Sequence, residues 1–177
     1  MYERMDNVTP FSKEDKLVAI LTESLALACG IKPDMAKLIR DAAVLHDVGK
    51  FCVPKHILHK PERLLPDEFE VVKNHTIWGE HILSGLCGKL RTIAMNVSAF
   101  HHEKWDGTGY WGRKGGDFPY YCQIVSVCDI YVALTTKRPY KAPWTQNDAL
   151  NHIKNESGKT FCPDVVNVFQ SFFVQAA

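Results

Sequence analysis

Apolar residues recur every three or four positions through most of this chain, and no convincing stretch alternates with a period of two. That pattern restricts the fold to packed helices, because a period near 3.6 puts such residues on one helical face. Ser12 followed by Asp15 resembles a capping box, and the helix it opens carries Leu17, Ile20, Leu21 and Ala28 before Gly30 stops it. Lys32-Pro33-Asp34 starts a second helix, with Leu38, Ala42, Leu45 and His46 at helical spacing and Gly49 at its end. Pro54 and Pro61 mark residues 51–65 as a loop with room for one helical turn. Pro66-Asp67-Glu68 suits a first turn, so a helix runs toward His75 and another reaches Leu86. Leu90, Ile93, Ala94, Val97, Phe100 and His101 share one face. Pro119 opens a strongly apolar helix through Ile124, Val125, Cys128, Asp129 and Val132, and shorter helices follow Thr145 and Pro163. The expectation is an all-α bundle of about six to eight helices. It forms a single domain over residues 1–177, with residues 1–11 as an N-terminal extension. A chain of this length buries about 70% of its unfolded surface, so no disulfide or structural zinc is needed to hold a core.

The charge balance narrows the partners. Twenty-one basic residues against twenty acidic ones leave a net charge of +1, which argues against binding duplex nucleic acid and leaves a small anionic substrate open. The six cysteines form no CxxC pair and no zinc-finger spacing, and read as free, mostly buried thiols in a reducing cytoplasm. No apolar run approaches the ~20 residues that span a bilayer, and the N-terminus lacks a signal-peptide core. A cytoplasmic protein without a membrane partner is the expectation.

The informative residues are those that break the hydrophobic pattern. His46, His101 and Asp129 each end an apolar stripe, where the period points a side chain inward. An unpaired buried carboxylate costs several kcal/mol unless something compensates it. A single inward histidine is usually a satisfied core residue, but that explanation weakens when such residues recur on separate helices. Here the set is His46-Asp47, His75, His101-His102 and Asp129. Imidazoles mixed with carboxylates, without cysteine, suit iron, manganese or zinc. Four histidines and two aspartates provide ligands for two divalent ions, with a carboxylate able to bridge them. Such pairs lower the pKa of water and stabilise both oxygens of a phosphoryl displacement.

The segment LHDVGK (45–50) is a signature of the HD phosphohydrolase superfamily, whose fold is a helical bundle with the metal site in its core. HHEKWDGTGY (101–110) and VCDIYVALTTKRPYK (127–141) resemble the HD-GYP subfamily of cyclic di-GMP phosphodiesterases. The resemblance runs from about residue 14 onward. It implies that His46, Asp47, His75, His101, His102 and Asp129 ligate metal, with Asp47 bridging. It also implies that Lys50 reaches the phosphate or the attacking hydroxide, and that Arg138 and Lys141 hold phosphate oxygens. On the residues alone, Lys50 is a solvated lysine at a helix end and KRPYK a basic turn. Residues 103–118 hold five glycines. In the family this loop lies near the site and is linked to contacts with signalling partners. Tyr110 and Trp111 therefore either face substrate or pack beneath the loop.

Three positions depart from the family pattern. Trp111 replaces the proline of the GYP triplet, and Val132 replaces a common second aspartate. Glu14 and Pro10 stand where many members carry a histidine and sometimes a glutamate, which puts a third metal in doubt. The implied activity is hydrolysis of a cyclic dinucleotide, cyclic di-GMP first and cyclic GMP-AMP as an alternative. A degenerate nucleotide receptor or protein-interaction module, and another HD enzyme such as a nucleotidase, are the competing readings.

Overall fold

The structure is a computed structural model that describes residues 12–137 and 142–174. Among them the helices are α1 (Lys13–Ala28), α2 (Pro33–Ala43), α3 (Lys55–Leu58), α4 (Pro66–Lys73), α5 (His75–Leu83), α6 (Gly88–Phe100), α7 (Tyr120–Thr135), α8 (Gln146–Asn155) and α9 (Pro163–Val174). Eight of these exceed one turn, and α3 is the single turn allowed for between the two prolines. Among the described residues the only β pairing is an isolated bridge between Ser157 and Phe161. The all-α expectation holds.

The helix starts follow local chemistry. Ser12 Oγ accepts from Asp15 N–H at 3.0 Å, and Ser12 N–H donates to Asp15 Oδ2 at 2.8 Å, closing the capping box of α1. Thr145 caps α8 in the same way through Asp148 N–H. Helix α7 is buried on every side from Cys122 to Cys128, as a helix apolar all round must be. It packs against α1, α6, α8 and α9, while α2 lies between α1 and α6. Leu25, Ile39, Ile124, Phe161 and Phe169 are fully buried in one continuous core. Each such side chain contributes roughly 1.5–3 kcal/mol relative to exposure. The cysteines are free, with Cys122, Cys128 and Cys162 buried, Cys29 half-buried, and Cys52 and Cys87 exposed. Among the described residues, no helix is long and apolar enough to cross a membrane.

One boundary differs from the sequence expectation. Helix α2 ends at Ala43 rather than continuing past His46. Leu45 N–H bonds Ala42 O at 2.9 Å and His46 N–H bonds Ala43 O at 3.3 Å, which tightens the chain into a turn. A 3₁₀ turn over Val48–Cys52 follows and packs on α5. The tightening brings the backbone of Gly49 directly against α5, where a Cβ would collide with His75 O. A continuing α2 would carry Asp47 along its own axis instead of toward α5.

Candidate metal centre

Asp47 sits where the turn after α2 meets α5 and the end of α6. His46 Nε2 lies 3.4 Å from its Oδ2, and His75 Nε2 lies 3.2 Å from its Oδ1. His101 Nε2 is 3.6 Å from the same Oδ1 and 3.4 Å from His75 Nε2. The His102 ring stands 4.0 Å from that of His101, and Asp129 Oδ1 from α7 is 3.8 Å from His46 Nε2. His46, His75 and His101 are buried. Of the six positions marked by the sequence, Asp47, His75, His101 and His102 converge on one point, His46 meets them through Asp47, and Asp129 joins through His46.

Backbone carbonyls set the orientation of three rings. His46 Nδ1 meets Ala43 O at 2.7 Å, His75 Nδ1 meets Val72 O at 2.7 Å, and His101 Nδ1 meets Ser98 O at 2.9 Å. A carbonyl only accepts, so each Nδ1 carries the hydrogen, and a neutral ring then turns a bare Nε2 toward Asp47. Burial depresses the pKa of His101, and burial together with His101 and His75 holds His102 well below its usual value. Both are neutral at physiological pH. His75 Nε2 and His101 Nε2 thus face each other 3.4 Å apart, each ring having committed its Nδ1 hydrogen to a backbone carbonyl. Asp47 Oδ1 beside them is buried and accepts no hydrogen bond from the described residues. Two ring nitrogens and a carboxylate oxygen around one point suit a cation there, and one potential ligand atom from each of Asp47, His75, His101 and His102 lies within 4.8 Å of the others.

The field has the same sign. Burial opposes charge on Asp47, yet the imidazoles around it, His46 first, hold its pKa well below the carboxylate range. Burial likewise opposes charge on His46, but Asp47 and Asp129 outweigh it and lift its pKa to about 9. The carboxylates that favour a proton on His46 equally favour a divalent ion, which displaces such protons from its ligands.

Two acids of the site carry no signal in the sequence. Asp15 has a sufficient role in the helix cap, yet its carboxylate joins His46 and Asp47 in a second group of donors within 4.8 Å. It is therefore Asp15, rather than Glu14, that turns α1 toward the cluster. Glu103 is buried and accepts from Trp111 N–H at 2.7 Å and Arg113 N–H at 2.8 Å, folding the glycine loop back on itself. Gly109 closes that fold, because a Cβ would stand 2.6 Å from Glu103 Cα. The HHE run is plain in the sequence, but an acid that ties down a loop looks the same as a solvated one until the loop closes.

The remaining candidates surround the cluster. Lys50 Nζ forms an ion pair with Asp47 Oδ2 from a side chain that is 39% exposed, which places the ammonium at the rim. Tyr110 lies over His102 with ring centroids 4.6 Å apart, and burial, with Asp47 and Asp129, pushes its pKa up to about 12. Beside it opens a cavity of about 340 Å³ lined by Phe69, Lys73, His102, Lys104, Tyr110 and Ile130. Val132 is buried in the apolar core. Arg138 and Lys141 lie outside the described residues.

Comparison with known proteins agrees with this geometry. The HD domain family matches residues 5–165. A 3'3'-cGAMP-specific phosphodiesterase 2 of Vibrio cholerae is 38% identical over 152 residues, covering 85% of this chain and 29% of that protein. A cyclic di-GMP phosphodiesterase of Thermotoga maritima is 39% identical over 153 residues, covering 86% of this chain and 42% of that protein. The chain thus spans less than half the length of these relatives. Among solved structures, the HDG"Y"P protein Bd1817 of Bdellovibrio bacteriovorus superposes with a TM-score of 0.70 at 20% identity, over 90% of this chain and 51% of that one. At that identity the likeness concerns the fold.

Proposed function

The chain belongs to the HD-domain family, and from that premise we propose that it is a metal-dependent phosphodiesterase acting on a cyclic dinucleotide. Cyclic di-GMP is the first candidate and 3'3'-cyclic GMP-AMP the second, in line with the names of its relatives. The observation that carries the reading is the meeting of His75 Nε2, His101 Nε2 and the unpartnered Asp47 Oδ1 at one buried point. We read the whole chain as one catalytic domain, with residues 1–11 as an extension, working in the cytoplasm on a soluble messenger.

In this reading His46, Asp47, His75, His101, His102 and Asp129 would hold two divalent ions, with Asp15 beside His46 and Asp47. Iron, manganese and zinc all suit the donor set. When bound, such ions lower the pKa of water and stabilise the attacking and leaving oxygens of a phosphodiester. The chain supplies the rest. The Nδ1–H bonds to Ala43, Val72 and Ser98 carbonyls keep three rings in the ligating tautomer. Lys50 at the rim provides an ammonium that can leave Asp47 for a phosphate oxygen. Tyr110 covers His102, narrows water access and offers substrate an aromatic edge and a phenol that stays protonated.

Incubating metal-loaded protein with cyclic di-GMP and, separately, cyclic GMP-AMP should yield linear products by chromatography. Chelation should stop the reaction, and elemental analysis should find close to two ions per chain. Binding without cleavage at full metal occupancy would make the protein a receptor instead.

Arg138 and Lys141 are assigned to the phosphates. A guanidinium donates two parallel bonds to a phosphate, so Arg138→Ala should leave metal content intact and raise KM. A charge-assisted hydrogen bond of about 1.5–3 kcal/mol corresponds to roughly a 10- to 150-fold loss in kcat/KM. Arg138→Lys should recover only part of it. Unchanged kinetics in both Arg138→Ala and Lys141→Ala would return the segment to a solvated basic turn.

A further inference from the structure

Trp111 is 39% exposed, yet it is tied at both ends. Its backbone N–H donates to Glu103, one residue beyond His102. Its indole Nε1–H donates to Thr76 Oγ1 at 2.9 Å, one residue beyond His75. Thr76 is fully buried, and its hydroxyl donates in turn to Lys73 O at 3.0 Å. The directions agree along the whole chain of bonds, from indole to hydroxyl to carbonyl, so Thr76 Oγ1 has one lone pair free for Trp111. Through its backbone and its side chain together, this one residue therefore joins the segment carrying His101 and His102 to the helix carrying His75.

The same residue does not line the neighbouring cavity but stands behind Lys73, which does. Lys73 Nζ stands 5.8 Å from the Trp111 ring, 5.8 Å from Tyr110 and 5.9 Å from Phe69, within cation–π range of all three. Glu70 anchors that ammonium from the outer side at 2.8 Å. Lys73, Phe69 and Tyr110 all line the cavity beside His102. A cyclic dinucleotide presents two phosphates and two bases, and the buried cluster can act on one phosphodiester at a time. The rest of the molecule needs a place that offers apolar faces and positive charge, and this cavity offers both.

We propose that Trp111 is a positioning residue: latched to Thr76, it holds Tyr110 and Lys73 as the wall that receives the part of the cyclic dinucleotide not being cleaved. The inference rests on the function proposed above. Trp111 ligates nothing, and His75 and His101 keep their own carbonyl bonds whether or not the latch is closed. Opening the latch therefore leaves the loop to be ordered by the substrate at each binding event, a cost that falls on affinity rather than on the chemical step.

The test uses the full metal-loaded chain and the variants Trp111→Phe, Thr76→Val, their double variant and Thr76→Ser, with metal content measured in each. Trp111→Phe keeps an aromatic ring but removes the indole N–H together with part of the ring system, while Thr76→Val keeps the shape of its side chain and removes the acceptor. Each should raise KM roughly fivefold, the worth of one ordinary hydrogen bond, with kcat held within about twofold. The double variant should be no worse than either single one, because both delete the same bond. Thr76→Ser keeps the hydroxyl and should retain wild-type kinetics. A residue that only stabilises the fold would lower the melting temperature without this KM-specific, non-additive pattern. Unchanged KM in both single variants, additive effects in the double variant, or a fall in kcat at constant KM overturns the proposal while the functional reading stands. A wild-type protein that cleaves no cyclic dinucleotide overturns both.

Discussion

An Asp47→Ala variant is expected to lose nearly all bound metal and to cleave cyclic dinucleotides at least roughly a thousandfold more slowly. That figure corresponds to about 4 kcal/mol of transition-state stabilisation, the order of charge stabilisation that bound ions provide. The size follows from position. One Asp47 oxygen faces His75 and His101, and the other faces His46 and the Lys50 ammonium. Without the carboxylate, a cation would meet four imidazoles and an ammonium, with Asp129 and Asp15 as the nearby counter-charges. Stability separates this from misfolding. In the metal-free protein Asp47 leaves Oδ1 unpartnered but pairs through Oδ2 with Lys50 and His46, and the imidazoles around it hold its pKa well below the carboxylate range. Its replacement by a methyl group should lower the apo melting temperature by several degrees with the cooperative unfolding transition kept, because His46 and Lys50 lose their counter-charge, whereas metal binding is lost almost completely. Elemental analysis, kinetics and thermal unfolding on the same samples decide it. Full metal occupancy and normal turnover in Asp47→Ala would remove the centre from Asp47 altogether.

Gly49→Ala is expected to produce the largest loss of stability from a single methyl group. The added Cβ would collide with the carbonyl oxygen of His75 and lie 2.5 Å from the amide nitrogen of Gly79. Both obstacles are backbone of α5, so no side-chain rotation relieves the overlap. The cost should reach about 3 kcal/mol, the upper part of the range for overpacking. For a chain of this size that lowers the melting temperature by roughly 6–12 °C. Metal affinity should fall as well, since separating the turn from α5 moves Asp47 away from His75. Circular dichroism melts of apo and metal-loaded protein measure both effects. A melting temperature within error of the wild type would mean that the turn is not pressed against α5.

Much of this arrangement is legible in the order of the residues. The helical period marks nearly every element, because burying one face of a helix demands apolar residues at that spacing. His46, His101 and Asp129 stand out for the opposite reason: each puts polarity where the period requires burial, so some compensation must exist nearby. The second signal depends on the first. Without clear helical faces, an inward histidine cannot be told from an exposed one.

Other features leave no residue of unexplained polarity along the chain. Asp15 already satisfies the cap of α1, so nothing in its sequence neighbourhood calls for a further role beside His46. Glu103 and Trp111 sit in a glycine-rich stretch without a period, where direction is set by loop closure alone. Helix α2 stops at Ala43 because the turn must reach α5, a constraint imposed by residues some thirty positions later. Local periodicity and the cost of buried polarity are thus enough to yield the fold class, most of the helices and the inward placement of His46, His101 and Asp129, whereas Asp47, His75 and His102 gain a ligand role only from the family resemblance. Which atoms face one another is a matter of packing. Three Nε2 atoms turn onto Asp47, Asp15 reaches His46 and Trp111 latches to Thr76 only once whole helices have settled against each other, because distances between elements remote in sequence have no local cause.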